Sequence, residues 1–344
     1  MSFTKGSDHV NKIYNIALIG CGCMGGAHLD DIYYKDNVNI SYVCDLDIQR
    51  AMHFARRYNA QKVCTDYMEI LDDDAVDIVI IATYPSSHLT ILKKCIVHKK
   101  HVICEKPIAP DIESGEAIIE LIKNNPKTKV LVGYILRHNK TYQKVAEMIQ
   151  GGAIGFPIVM RMSQNHHTMD WDKYRHLLND ASPILDCGVH YIDVMHWFTG
   201  ARIISLSGIG LRTEEDVPDN TYNYGLFTAK LSDGSIGYYE AGWGNTISAN
   251  NLKEFVGPKG RITITYQMSR FSNQEEGDLI EYYKYPEKTY EIINVNCNRK
   301  PTGDQLEELI NMIETDSRGN PTIDEVWESF KMAIKADEFI RKTL

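Results

Sequence analysis

Short apolar runs alternate with amphipathic stretches at a regular beat through the first 134 residues. The runs at 15–19, 39–44, 77–83, 101–104 and 130–133 predict strands, and the stretches 24–34, 48–58, 87–98 and 112–124 predict the helices between them. Ile78-Val79-Ile80-Ile81-Ala82 is apolar without a break, as a parallel strand covered on both faces should be. The β–α beat predicts an open, doubly wound sheet. After Gly151-Gly152 the texture changes to longer, alternating segments at 158–164, 203–211, 222–231, 235–242, 261–266, 279–285 and 290–295. Ser232-Asp233-Gly234-Ser235 reads as a hairpin turn between two of them. These seven segments predict a mostly antiparallel sheet with one open face. Helices at 304–316 and 323–342 close the chain, the second introduced by Pro321-Thr322.

At 344 residues the chain exceeds one usual core, since domains run to roughly 100–200 residues. The pattern divides it into 1–134, a dinucleotide-type domain, 135–320, a substrate and oligomerisation domain, and 321–344, a C-terminal helix that could pack back on the first. With 37 Lys and Arg against 46 Asp and Glu, the net charge is −9 and no basic run stands out. That argues against nucleic acid as a partner. No apolar run approaches the ~20 residues of a membrane helix, and the polar start, residues 1–14, lacks a signal-peptide stretch. The eight cysteines therefore read as reduced thiols of a cytoplasmic protein. Cys21-Gly22-Cys23 is too tight for the usual zinc pair, so no metal is expected.

The first predicted strand runs straight into Gly20-Cys21-Gly22-Cys23-Met24-Gly25. In a dinucleotide loop of this spacing Gly20 permits the tight turn, Gly22 lets backbone approach a pyrophosphate, and Gly25 lets helix and strand pack closely. Cys23 and Met24 open the following helix, whose free N–H groups favour phosphate. Asp45 ends the second strand, where its carboxylate can accept from both ribose hydroxyls and repel a 2′-phosphate, favouring NAD over NADP. Asp47 is the weaker candidate, as it belongs to the next helix start.

Two further motifs fall where cofactor and substrate should meet. Glu105-Lys106-Pro107 follows the strand 101–104, at the end where ligands bind in open α/β sheets. Asp186-Cys187-Gly188-Val189-His190-Tyr191-Ile192-Asp193 spaces Asp186, His190 and Asp193 at i, i+4, i+7, so one helix face could present all three. Oxidising a secondary alcohol needs a base for the hydroxyl proton, and histidine suits it, with a lysine polarising the oxygen and a carboxylate tuning both. Tyr191 is the fallback proton carrier.

Over nearly its whole length the chain resembles the family of glucose–fructose oxidoreductase, inositol dehydrogenase and rhizopine-catabolism proteins (Gfo/Idh/MocA). The matching residues are Gly20-x-Gly22-x-x-Gly25, Asp45, Ala82-Thr83 with Pro85 and His88, and His101-Val102-Ile103-Cys104-Glu105-Lys106-Pro107. Gly155, Asp186-x-Gly188-x-His190-x-x-Asp193 and Val256-Gly257-Pro258-Lys259-Gly260 continue the match. The resemblance implies an α/β Rossmann domain followed by an α+β domain with a large, mostly antiparallel open sheet that serves oligomer contacts. It implies a catalytic group of Lys106, Asp186 and His190, with His190 as general acid/base. It also implies a cis bond before Pro107 and nicotinamide contacts from Thr83, Tyr84, Pro85, His88, Glu105 and Lys106. Gly133-Tyr134-Ile135-Leu136-Arg137-His138 departs from the family, where an Asn or Phe often precedes the arginine; Arg137 is still a candidate substrate residue.

The segment Asn165-His166-His167-Thr168-Met169-Asp170-Trp171-Asp172-Lys173-Tyr174 is polar and aromatic. Such side chains suit a polyhydroxylated ligand, with His166 and Trp171 joining Asp186 and His190 around it. Adjacent histidines on a strand face opposite ways, which argues against a metal pair. The expected activity is NAD-dependent oxidation of a ring secondary hydroxyl in a sugar, a glycoside (C3 of a glucosyl unit) or a cyclitol. A dinucleotide-binding sensor without turnover, or a reductase of a non-sugar carbonyl, are the alternatives. The long strands and 20 tyrosines predict a sheet face needing cover, hence a homodimer or homotetramer.

Overall fold

A computed structural model describes residues 12–168, 171–267 and 276–344; most of the polar start, and Met169 and Asp170 of the polar segment, lie outside the described residues. In the first half, β1 (Tyr14–Ile19), β2 (Val38–Cys44), β3 (Lys62–Cys64), β4 (Ile78–Ile81), β5 (His101–Cys104) and β6 (Val130–Val132) form one sheet in the order β3-β2-β1-β4-β5-β6. Every neighbouring pair is parallel. Along β1, Ile16 and Leu18 join one apolar cluster while Ala17 and Ile19 join another. Both faces of the strand are thus covered, which is why its sequence does not alternate. The helices α1 (Cys23–Ile32), α2 (Ile48–Tyr58), α3 (Met68–Leu71), α4 (Pro85–Val97) and α5 (Ile112–Lys123) connect these strands. The strand order reverses between β1 and β4, opening a crevice at their carboxyl ends.

The second sheet has eight strands: β7 (Val159–His167), β8 (Ile203–Leu211), β9 (Tyr224–Leu231), β10 (Ile236–Gly244), β11 (Lys253–Gly257), β12 (Gly260–Thr265), β13 (Asp278–Lys284) and β14 (Thr289–Val295). Their order is β14-β13-β12-β11-β7-β10-β9-β8, antiparallel throughout except for the parallel pair β7–β10. This is the α/β plus α+β architecture expected from the pattern. The sequence pattern does not reveal β3 or β11, and it ends β7 three residues early, at 164 rather than His167.

Helices α6 (Lys140–Gln150), α7 (Trp171–Leu177), α8 (Val189–Thr199), α9 (Thr302–Thr315) and α10 (Ile323–Arg341) complete the chain. α10 lies against β8 and α8 and also touches α5, while α9 returns to α1, β5 and β6. Glycine makes the α10 contacts close: a Cβ on Gly210 would stand 2.5 Å from Ile340 Cγ2, and one on Gly115 2.2 Å from Phe330 Cε1. The far face of the second sheet is less apolar than its tyrosine count suggests. Arg161, Glu254, Arg261 and Glu281 form a charge ladder across β7, β11, β12 and β13, with Arg161 to Glu254 at 2.7 Å and Arg261 to Glu281 at 3.4 Å. Ile209, Ile236 and Tyr238 stay on the side of β8 and β10. Among the described residues no helix is long and apolar enough to cross a membrane.

Candidate active site

The loop after β1 has the geometry its glycines require. Gly20 has φ +99°, and a Cβ there would lie 2.5 Å from the Ala82 carbonyl oxygen. A Cβ on Gly25 would lie 2.1 Å from Gly20 O, whereas nothing stands within 4 Å of one on Gly22. The first two glycines are demanded by packing against β4 and β1; the third faces open space. Cys23 and Met24 begin α1, whose N-cap Gly22 supplies no side-chain bond to the free N–H groups. Asp45 follows β2 and accepts from Cys21 N–H at 2.9 Å and Asp47 N–H at 2.9 Å, which fixes its carboxylate beside the loop. Asp47 instead caps α2, accepting from Gln49 N–H. These features fit a dinucleotide: room at Gly22, uncapped N–H groups, and a fixed carboxylate one strand away.

At the end of β4, Thr83 sits against Gly20, Tyr84 caps α4 and is half exposed, and Pro85 opens that helix. His88 does not reach the crevice. It is wholly buried, with its ring nitrogens 3.1 Å from Thr83 O and 3.3 Å from Ile108 O, so it braces the two loops. After β5, Glu105 is buried and accepts from His28 Nε2 at 2.7 Å. Burial pushes the Glu105 carboxyl upward most strongly, but His28 and the Lys106 charge together outweigh it and hold the group below its ordinary range. His28, one turn into α1, thus ties the cofactor loop to the Glu105-Lys106-Pro107 turn. The sequence signal for it is only its place three residues after Gly25. The Lys106–Pro107 bond is cis, as the resemblance implies.

Lys106 reaches across to the second half. Its Nζ donates to Asp186 Oδ1 at 2.7 Å and to the Asp186 carbonyl at 3.0 Å. Burial works against the ammonium, yet Asp186 more than offsets it and raises its pKa above that of ordinary lysine. Asp186 lies in a π-type turn, Ile184–Gly188, that runs into α8, and His190 stands one turn on. His190 is 8% exposed, edge-on to Tyr134 at 5.9 Å, and its Nδ1 has no hydrogen-bond partner among the described residues. Burial, followed by the Lys106 charge, drops its pKa to about 3, so the ring is neutral at physiological pH. Lys106, Asp186 and His190 are one electrostatic unit.

The structure separates three other candidates from that unit. Asp193 is taken up by a different partner, Arg137. Its carboxylate accepts from Arg137 Nε at 2.7 Å and Nη2 at 2.8 Å. Arg137 is 3% exposed, because a guanidinium in the interior needs such a partner, and Glu325 takes a further contact at 3.3 Å. Arg137 therefore links α8 and α10 and is not brought to the site. Tyr191 stacks on Tyr239 at 4.6 Å with Lys253 Nζ 4.5 Å above its ring. Lys253 opens β11, is wholly buried, and falls to a pKa of about 7 through desolvation.

On β7, His166 is partly buried while His167 is exposed, as the strand alternation requires. Burial lowers the His166 pKa, and Asp186 and Lys106 are both near enough to act on it. Trp171 of α7 gives its indole N–H to Asp216 at 2.8 Å, and Tyr174 of the same helix lies 6.2 Å from the His166 ring and 5.3 Å from Trp243.

Burial also has a consequence for acid stability. His88, His101, His138, His166, His190 and His196 all stand below the ordinary histidine range, with desolvation the largest cause in each. The unfolded chain protonates these rings near pH 6.5, so below that pH it binds more protons than the fold does and stability falls. At pH ~5, His138 and His190, which reach about 4 and about 3 in the fold, each cost about 2 kcal/mol. The thermal midpoint should decline from pH ~6.5 downward, before the carboxylates titrate. A midpoint unchanged from pH ~7 to ~5 would show that the folded rings take up protons freely.

Comparison with known proteins identifies the family. A family model described as an oxidoreductase family with an NAD-binding Rossmann fold matches residues 14–134, and the Gfo/Idh/MocA C-terminal domain matches residues 142–263. The inositol 2-dehydrogenase of Rubrobacter xylanophilus is 25% identical over 253 residues, 72% of this chain and 70% of that protein. That of Corynebacterium glutamicum (strain R) is 27% identical over 198 residues, 57% of either chain. The crystal structure of scyllo-inositol dehydrogenase from Lactobacillus casei with bound NAD(H) and scyllo-inositol shares the fold, with a TM-score of 0.77, 21% identity, and coverage of 96% of this chain and 98% of that one. Matched in order by both domains of the family, the chain belongs to the Gfo/Idh/MocA oxidoreductases with an NAD-binding Rossmann fold.

Proposed function

We propose that the chain is an NAD-dependent dehydrogenase that converts a ring secondary alcohol to a ketone, with a cyclitol as the first substrate class. The Lys106–Asp186–His190 unit, set at the end of β5 beside the dinucleotide loop, carries this reading. His190 is neutral and takes the hydroxyl proton as the carbon gives up hydride. Lys106 donates a hydrogen bond to the same oxygen and stabilises the negative charge that builds there. Asp186 keeps Lys106 charged and aimed. Bound NAD supplies the hydride acceptor. The polar segment around His166 and Trp171 supports a substrate rich in hydroxyls, and the inositol dehydrogenases among the relatives support a cyclitol over a glycoside or free sugar. All eight cysteines are free thiols, which suits a reducing cytoplasm.

The test is a panel of cyclitols, monosaccharides and glycosides read by NADH absorbance, with the reverse direction run on NADH and carbonyl compounds. Turnover of an inositol supports the reading. NAD binding with no NADH from any member would leave a dinucleotide-binding sensor, and turnover of non-sugar carbonyls alone would make the chain a reductase.

Cofactor choice turns on Asp45. Asp45→Ala should raise the KM for NAD and ease use of NADP, because the carboxylate that would meet a 2′-phosphate is gone. Equal efficiency with NAD and NADP in the unmodified chain would remove Asp45 from this role. The face carrying Ile209, Ile236, Tyr238 and the charge ladder is the proposed oligomer surface, giving a homodimer or homotetramer. Light scattering at micromolar concentration should return a multiple of 39.2 kDa; a monomer mass would refute it.

A further inference from the structure

The dinucleotide loop itself is poor in positive charge. Gly20 to Gly26 hold no basic side chain, the chain carries a net charge of −9, and the carboxylate that Asp45 places against the loop already has the Arg50 guanidinium 3.6 Å away. A dinucleotide brings a doubly charged pyrophosphate to this spot, and a helix N-terminus offers only about half a charge in return.

A cation arrives from far along the chain. Lys300, in the turn between β14 and α9, places its Nζ 3.5 Å from Met24 Sδ and 3.9 Å from Cys23 Sγ, at the first two residues of α1. Thioether and thiol are weak acceptors, and they do not neutralise an ammonium. The turn is held firmly. Lys300 N–H donates to Asn298 Oδ1 at 3.1 Å, and Thr302 N–H donates to the Lys300 carbonyl at 2.7 Å. Asn298 Nδ2 donates to Asp31 Oδ1 at 2.5 Å, Thr302 Oγ1 to Ala27 O at 2.9 Å, and Gly303 N–H to Asp31 Oδ2 at 2.9 Å. Three bonds thus fasten the turn to the body of α1, and Asn139 Nδ2 reaches Asn298 O at 3.4 Å from the other side. The ammonium thus stands at the first two residues of α1, next in sequence to Gly22, whose Cβ position has nothing within 4 Å.

We propose that Lys300 is a cofactor-binding residue whose ammonium pairs with the pyrophosphate of the dinucleotide at the start of α1. The proposal rests on the NAD reading and adds to it a phosphate contact supplied by the segment that follows the second sheet. The first and last thirds of the sequence then share one ligand, and docking of the turn onto α1 is part of building the cofactor site.

Calorimetric titration with ADP-ribose, which has the pyrophosphate, and with adenosine, which lacks phosphate, separates this contact from any other. Lys300→Met should weaken ADP-ribose about tenfold, the worth of one charge-assisted contact, and leave adenosine unchanged. It should also flatten the rise of the ADP-ribose Kd with salt, since one ion pair is gone. Lys300→Arg should restore binding, which guards against reading a folding defect as a lost contact. ADP-ribose affinity in Lys300→Met within about twofold of the unmodified chain would overturn the proposal, as exposed ion pairs of no consequence behave that way. Equal weakening of adenosine would overturn it too, by showing general damage to the pocket. Failure of the unmodified chain to bind ADP-ribose would instead sink the NAD reading itself.

Discussion

Replacing His190 by alanine should lower kcat by about 10²–10⁴-fold, the usual contribution of a positioned acid–base group, with the Kd for NAD nearly unchanged. The size follows from the geometry. A ring 8% exposed with an unpartnered Nδ1 gains no hydrogen bond there from the fold beyond its packing on Tyr134, which supports a role in chemistry. Lys106→Ala should lose a comparable factor, because it removes both the proposed donor to the substrate oxygen and a charge that adds to burial in keeping His190 neutral. Asp186→Asn should act through pH. Asp186 lifts the Lys106 pKa against the pull of burial, so without it Lys106 loses its proton at lower pH and the alkaline limb of the kcat/KM profile moves down. Asp186 also raises the His190 pKa, so its loss shifts the acid limb further down, away from neutral pH. A His190→Ala variant with normal kcat would take this ring out of the reaction. Tyr191 could not inherit the role simply, as it is stacked on Tyr239 under Lys253.

How much of this was legible follows from what each pattern encodes. The parallel strands stand out because both of their faces are buried and their apolar runs are continuous, as in Ile78-Val79-Ile80-Ile81. β3 has three residues and β11 begins with a lysine, Lys253, that is buried without a carboxylate, so neither shows an apolar period. The motifs mark positions at strand ends, and the structure joins several of them by contact: Asp45 to the glycine loop, Glu105 to α1 through His28, and Lys106 to Asp186 beside His190. Side-chain direction was not encoded in the same way. The i, i+4, i+7 spacing assumed a regular α-helix, whereas the wider turn Ile184–Gly188 precedes α8 and Asp193 meets a buried guanidinium instead. His28 and Lys300 owe their places to contacts 77 and 276 positions away in sequence, which no local pattern carries. Arg137 has its partner 56 positions away for the same reason, so the sequence alone reads it as a ligand contact while the structure shows it paired with Asp193.

Breaking the Arg137–Asp193 pair should therefore damage stability rather than substrate affinity. Arg137→Met leaves Asp193, 1% exposed, as an uncompensated interior carboxylate, and losses of about 3–5 kcal/mol are typical when one partner of a buried pair is removed. The consequences spread along α10. Glu325 closes the capping box at the start of that helix with Thr322, and Ser329 Oγ donates to Asp193 Oδ1 at 3.3 Å, so both of those contacts face the same guanidinium or its partner. Trp197 lies over Arg137 with 4.9 Å between ring centre and Cζ, and the methionine replaces part of that packing. Asp193→Asn should be nearly as harmful, because it leaves the buried guanidinium with the longer Glu325 contact in place of its two-bonded carboxylate. The double change Arg137→Met with Asp193→Leu should recover most of the loss, since a buried ion pair exchanged for apolar side chains of similar volume is often neutral. Denaturant unfolding of the three variants measures these differences directly. A variant Arg137→Met with unaltered unfolding free energy and a raised substrate KM would return Arg137 to the substrate site and show that Asp193 is served by another partner.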